Sequence, residues 1–301
     1  MTAPSHSPAH PVRPFYWSVR RELWENRAVF VAPFVVASLM VASLLFSLRG
    51  LPQAVLAAAD AATKDPAVKM ARFMVAMPFD GGAAAVIVTS VVVAVFYALG
   101  SLNGERRDRS ILFWKSLPVS DRTAVVAKAT VALVVQPLIA VALIVVAHLI
   151  MMALAAAVLS ANGVDPVLLW NRLHPLTMWL MLPYGLFFNV LWWAPIVGWL
   201  MLVSAWARRT PILWALAPPL GLSLFELLTL HTHRLWSFLM YRLDDGLRIF
   251  SVGGRGKAPI QTLSQADPMP MLVNPDLWLG LLAAGGLFAG CVWLRRRGDP
   301  L

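Results

Sequence analysis

The sequence predicts an all-α integral membrane protein: six transmembrane helices, an N-terminal amphipathic interface helix, and a short cytoplasmic helix between the second and third spans. Three observations predict it. Of 301 residues, 59% are hydrophobic and 13% charged, whereas a soluble domain carries about 45–50% apolar and about 25% charged residues. Six apolar runs reach the roughly 20 residues an α-helix needs to cross about 30 Å of hydrocarbon. The 25 basic residues cluster at the ends of those runs, as the positive-inside rule expects of cytoplasmic loops.

Residues 1–14 are polar and Pro-rich and lack the apolar core of a cleavable signal. They are expected to be a disordered cytoplasmic tail. The rest, 15–301, reads as one transmembrane domain. From Phe15 to Arg27, Phe15, Val19 and Leu23 recur every four residues on one helical face, while Ser18, Arg21, Glu22 and Glu25 occupy much of the other. Trp17 and Trp24 sit near the boundary, where aromatic rings favour the headgroup layer. That pattern predicts a helix lying in the cytoplasmic interface; a simple membrane anchor explains it as well as a functional element does.

The spans are expected at about 28–48, 82–102, 129–159, 175–206, 211–230 and 276–294. Six crossings put both termini on one side. The segments on the side of the termini carry 15 basic and 6 acidic residues, against 10 and 8 on the other. Both termini are therefore expected in the cytoplasm of a multi-pass inner-membrane protein. Pro137, Pro183, Pro195, Pro218 and Pro219 fall inside spans, where each removes a backbone donor and tends to kink the helix. After the fifth span, Leu235, Trp236, Phe238, Leu239, Leu243, Leu247 and Phe250 suggest an amphipathic helix on the outer surface, interrupted at Gly246. Arg234, Arg242, Asp244, Asp245 and Arg248 would keep it from inserting deeply. A Gly- and Pro-containing loop is expected over 252–267.

The most informative stretch joins the second and third spans. Glu105 and Arg109 stand four apart and would support a short helix as an ion pair. Ile111, Leu112, Phe113 and Trp114 then form an apolar run that needs lipid or a protein partner. Pro118 breaks that helix, and Ser120 or Asp121 is placed to cap the next, which runs into the third span past Arg122 and Lys128.

At this loop the run Glu105-Arg106-Arg107-Asp108 followed by Ser110-Ile111-Leu112-Phe113-Trp114-Lys115-Ser116-Leu117-Pro118-Val119-Ser120-Asp121 resembles the cytoplasmic loop of bacterial ABC-2-type transporter permeases. The six-helix layout matches that family over nearly the whole chain. The resemblance implies a coupling helix that docks on a separate ATP-hydrolysing subunit through Glu105, Arg106, Arg107, Asp108, Arg109, Ile111, Phe113, Trp114 and Lys115. It implies a connecting helix with Trp17, Arg20, Arg21, Glu22 and Trp24. It further implies two ATPase copies, a second permease chain (identical or related), and export. ATP and magnesium would then sit in the partner, and this chain would hold no cofactor. The region between the fifth and sixth spans, 230–275, is longer than the short re-entrant helices usual in such exporters.

Other chemistry finds little footing. Gly253-Gly254-Arg255-Gly256-Lys257-Ala258 lacks the glycine spacing and the hydroxyl of a phosphate-binding loop. His231 and His233 do not make a His-Glu-x-x-His site, no Gly-x-Ser-x-Gly elbow is present, and nucleic acid lacks a basic soluble face. Glu226 and His148 are ionisable groups within spans, open to a pathway role or a packing role. Asn189 reads as an interhelical hydrogen-bonder, Cys291 as a small buried residue, and most of the 13 tryptophans as interfacial girdles. A membrane-embedded hydrolase acting on lipid or peptide, a non-transporting adaptor and a secondary transporter stand as alternatives.

Overall fold

The computed structural model describes residues 14–59, 65–108, 119–248 and 269–297; among them every regular element is a helix. Helix α1 (Pro14–Glu25) precedes the first span, which joins α2 (Ala28–Ser47), a 3₁₀ turn (Leu48–Gly50) and α3 (Leu51–Ala59). The second comprises α4 (Pro66–Ser101) and α5 (Asn103–Arg107). The third comprises α6 (Asp121–Thr130), a π-helical turn (Val131–Val135) and α7 (Gln136–Ala161). Then follow α8 (Val167–Leu173), α9 (Pro175–Trp206), α10 (Pro211–Leu230), α11 (Arg234–Arg248), α12 (Met269–Leu272) and α13 (Pro275–Arg297).

Six stretches are long and apolar enough to cross a membrane: Ala28–Ala59, Pro66–Arg107, Asp121–Ala161, Val167–Trp206, Pro211–Leu230 and Pro275–Arg297. This is a multi-pass membrane protein. Each stretch contains one expected span, but the second starts 16 residues earlier than hydropathy suggests (82 against 66). Asp65 caps it by accepting the Ala67 amide at 2.8 Å, and Pro66 occupies the first turn, where its missing donor costs nothing. The 36 residues of α4 reach about 54 Å at 1.5 Å per residue. That exceeds the roughly 30 Å hydrocarbon layer, so the helix outlasts its apolar window.

Pro137 acts where expected. The π turn Val131–Val135 ends just before Gln136 and Pro137, because the ring cannot donate and crowds the preceding turn. The paired prolines of α9 and α10 stay within continuous helices. The expected interruption at Gly246 is absent, since α11 runs on to Arg248; one glycine costs a helix only about 1 kcal/mol.

Two apolar cores hold the bundle. One packs α2, α3, α4 and α7 around Met40, Leu44, Val55, Val75, Ile144 and Met151. The other gathers Val29, Tyr97, Val131, Met201 and Cys291 near the end that carries α1 and the last turn of α13. Helix α9 is central, packing on α13, α4, α7 and α10. Gly198 lets α13 approach, for a Cβ there would lie 3.1 Å from Leu287 Cβ. By contrast α10 contributes only Ala215 to the buried set. Its apolar surface is left to lipid or to another chain.

Candidate functional site

Part of the side of α1 that reads as polar in the sequence turns inward, while Val19 and Leu23 of the apolar side pack against a core cluster. Ser18 and Glu22 are buried, while Phe15, Trp17 and Trp24 are exposed. Glu22, 1% exposed, needs partners because an isolated carboxylate out of water is strongly disfavoured. Lys128 of α6 supplies one at 2.7 Å, and Arg21 another at 2.7 Å. The Tyr97 hydroxyl of α4 donates to its second oxygen at 2.9 Å.

Glu105 is the second anionic centre. It meets the same Lys128 at 3.1 Å and the same Arg21 at 3.2 Å, and its other oxygen accepts from Arg295 of α13. Arg295 also contacts Asp121 at 3.0 Å. Three carboxylates and three cations thus alternate across α1, α5, α6 and α13, with Tyr97 closing the set from α4. Burial works against the Arg21 charge, but the hydrogen bond and charge of Glu22 outweigh it, so its pKa lies above the usual guanidinium value.

A second group of bonds fixes α5 to α9. The Ser204 hydroxyl accepts from the amides of Leu102 and Asn103, each at 3.0 Å. Asn103 Nδ2 donates to the Ala207 carbonyl and Arg106 to the Ala205 carbonyl. These are terminal carbonyls of α9, which lack intrahelical partners and attract cations. Both roots of the loop between α5 and α6 are therefore anchored: Glu105 and Arg106 on the way in, Asp121 and Lys128 on the way out.

The residues singled out in the sequence fall into three sets. Glu105 and Arg106 face inward, and Arg107 and Asp108 face outward with side chains 76% and 67% exposed. Arg109, Ile111, Phe113, Trp114 and Lys115 lie outside the described residues, as do the 253–258 glycine run, Phe250 and the tail before Pro14. In α1, Arg21 and Glu22 belong to the ionic cluster, whereas Arg20 stacks over Trp24 at 4.5 Å and Trp17 at 5.2 Å.

Ser120, rather than Asp121, caps α6, its hydroxyl accepting the Thr123 amide at 3.1 Å. Lys128 and Arg295 read in the sequence as flanking charges, and Tyr97 and Ser204 carried no signal; all four are central here. A pairing of Glu105 within its own helix is what local spacing offers, yet its described partners come from three other elements.

Glu226 and His148 take quiet places. Glu226 accepts from Thr232 Oγ1 at 2.6 Å and from the amides of Arg234 at 2.9 Å and Leu235 at 2.8 Å. It caps the N-terminus of α11. His148, 1% exposed, sits between the Phe79 carbonyl at 3.3 Å and the Trp179 indole N–H at 3.4 Å. With the indole donating to Nδ1, the proton of a neutral ring lies on Nε2. His231 adopts φ 50° as the left-handed cap that ends α10. No cluster of three or more metal-binding side chains occurs among the described residues.

Arg242 was expected to keep α11 at the surface; instead it is buried, 6% exposed. Its guanidinium lies 4.1 Å from the Trp192 ring and donates to the Asp276 carbonyl at 2.9 Å, which the cation–π attraction rewards. Burial holds its pKa below the usual guanidinium value, against the neighbouring Tyr241 and Asp276 charges.

Within the bundle, a cavity of about 40 Å³ is lined by Ser90, Leu133, Pro137, Asn189 and Trp193 among others. Trp193 Nε1, and Oε1 of the adjacent Gln136, are buried and have no hydrogen-bond partner. Space of that size suits one to a few waters. No family model matches the chain, and neither a curated protein nor a solved structure is detectably similar to it.

Proposed function

We propose that this chain is the membrane-spanning permease subunit of an ATP-binding-cassette transporter of the ABC-2 type, moving a substrate out across the cytoplasmic membrane. A separate ATPase subunit, in two copies, supplies the energy, and a second permease chain completes the pathway. The observation that carries this reading is the double anchoring of the loop between α5 and α6. A push on that loop meets Glu105 at one root and Asp121 and Lys128 at the other, and through them α1, α6 and α13. Arg106 and Asn103 carry the same displacement to α9.

Two further features support it. The exposed apolar surface of α10 suits contact with a second chain, and the π turn, Pro137 and the adjacent cavity give the third span a place to bend. The hydrolase alternative draws nothing from Glu226, whose carboxylate already serves three donors.

The test is purification of the tagged chain from its own cells in mild detergent, with assay of the eluate for ATP hydrolysis. The wild-type chain is expected to bring down a nucleotide-hydrolysing partner. Replacing Phe113 and Trp114 by Asp is expected to lower that recovery at least about tenfold, since each charge set against an apolar pocket costs more than 1.4 kcal/mol, with membrane insertion unchanged. Equal recovery from the double variant counts against docking at this loop.

A further inference from the structure

A groove of about 600 Å³ runs between the outer faces of α6 and α13, lined mainly by Val126, Ala129, Leu133, Phe288 and Val292. Arg122 and Arg296 stand at one end of it, one on each wall. From Arg122 to Val134, the lining residues furthest apart on that wall, the chain rises about 18 Å at 1.5 Å per residue. That is close to half of a roughly 30 Å hydrocarbon layer. The groove is one leaflet deep.

Among the described residues its charge is uncompensated. Both arginines are exposed, and neither has an ion-pair partner among the described residues. Among the described residues no acidic side chain lines the groove. Asp121, next to Arg122, is already taken by Arg295, next to Arg296, at 3.0 Å. That pair ties the two helix ends together on the inner side while the arginines one residue on stand at the groove. The Thr130 hydroxyl in the lining donates back to the Val126 carbonyl at 2.8 Å.

We propose that this groove is a binding site for an anionic phospholipid, with one acyl chain along the trough and the phosphate and acidic headgroup between Arg122 and Arg296. A second copy of the chain fits less well. Among the described acidic residues at this end, Glu22, Glu105 and Asp121 are spent in the buried cluster, Glu25 contacts Arg21 at 3.6 Å, and Asp108 contacts Arg107 at 3.5 Å. A bound lipid would brace α6 against α13 from outside, beside the Asp121–Arg295 contact that braces them from within. The inference needs only that the chain lies in a membrane and is independent of the transport reading.

The experiment is native mass spectrometry of the delipidated full chain in neutral detergent, titrated with phosphatidylglycerol or with phosphatidylcholine of the same acyl chains. At about 1 kcal/mol per basic residue, two arginines give the wild type a roughly 30-fold preference for the anionic lipid. Arg122→Gln with Arg296→Gln is expected to abolish the preference. Ala129→Phe, which fills the trough and keeps both charges, is expected to reduce retention of phosphatidylglycerol several-fold. Arg208→Gln with Arg209→Gln, removing another basic pair, is expected to change neither. Phosphatidylglycerol is also expected to raise the Tm of the wild type and leave that of the Arg122/Arg296 double variant unmoved. Equal retention of the two lipids by the wild type overturns the proposal, as does an unchanged preference in the Arg122/Arg296 variant. A lipid-free dimer that the Ala129→Phe change disrupts overturns it in favour of a second copy.

Discussion

Lys128 shows what one residue decides in this molecule. Its ammonium serves two carboxylates, Glu22 at 2.7 Å and Glu105 at 3.1 Å, from a position 2% exposed. Removing one partner of a buried ion pair costs about 3–5 kcal/mol, because the remaining charge is stranded without water. Lys128→Ala should therefore lower unfolding stability in detergent by about that much, and Glu22→Ala added to it should restore part of the loss. A Lys128→Ala protein as stable as the wild type would mean that water, not Lys128, neutralises the two carboxylates. Glu226 gives a contrasting expectation. As the cap of α11, its replacement by Ala should speed amide exchange at Arg234 and Leu235, and leave substrate movement intact. Lost movement with unchanged exchange would return Glu226 to the pathway.

These two residues also mark the reach of the sequence. Glu226 stood out because a carboxylate in an apolar run is conspicuous, though its partners lie in the next turn and helix. The role of Lys128 was hidden, because it reads as one more basic residue flanking a span. Its partner Glu22 lies 106 positions away, and the Arg295–Glu105 pair is separated by 190. Charge at the end of a span is visible in sequence; which charges turn inward is set by how the helices pack.

At the scale of elements, spans are the legible part. Twenty apolar residues in a row admit few structures other than a membrane helix, and all six appear where hydropathy places them. Helix ends are less legible. Apolar content falls before Gly82, yet the Ala- and Met-rich stretch from Pro66 onward keeps good helix propensity. Similarly, α11 continues through Gly246, a residue that costs a helix only about 1 kcal/mol, while Arg242 pins it to Trp192 and α13. Gly280 is part of that joint, as a Cβ there would collide with the Arg242 guanidinium. Gly280→Ala should cost about 1–3 kcal/mol by overpacking and raise the protease sensitivity of α11. An unaltered Tm and cleavage pattern would show that Arg242 is not held at this joint.

For the whole molecule, the described residues form a bundle tied at one end by charge and elsewhere by apolar packing. The tied end holds α1, both roots of the loop between the second and third spans, the end of α9 and the last turn of α13. A buried ionic cluster adds little net stability over an apolar one, and here its pairs join α1, α5, α6 and α13. Five elements meeting at the base of a single loop is an arrangement suited to moving together. The transport reading follows only if that end faces the compartment where ATP is hydrolysed.

Sidedness is therefore the most direct measurement. Arg107, exposed beside the loop root, can be changed to Cys in a chain whose single native cysteine, Cys291, has been replaced by Ala. A membrane-impermeant thiol reagent should label it in inverted inner-membrane vesicles and not in intact cells. Labelling in intact cells would place the anchored loop outside, beyond the reach of any ATPase, and would contradict the account.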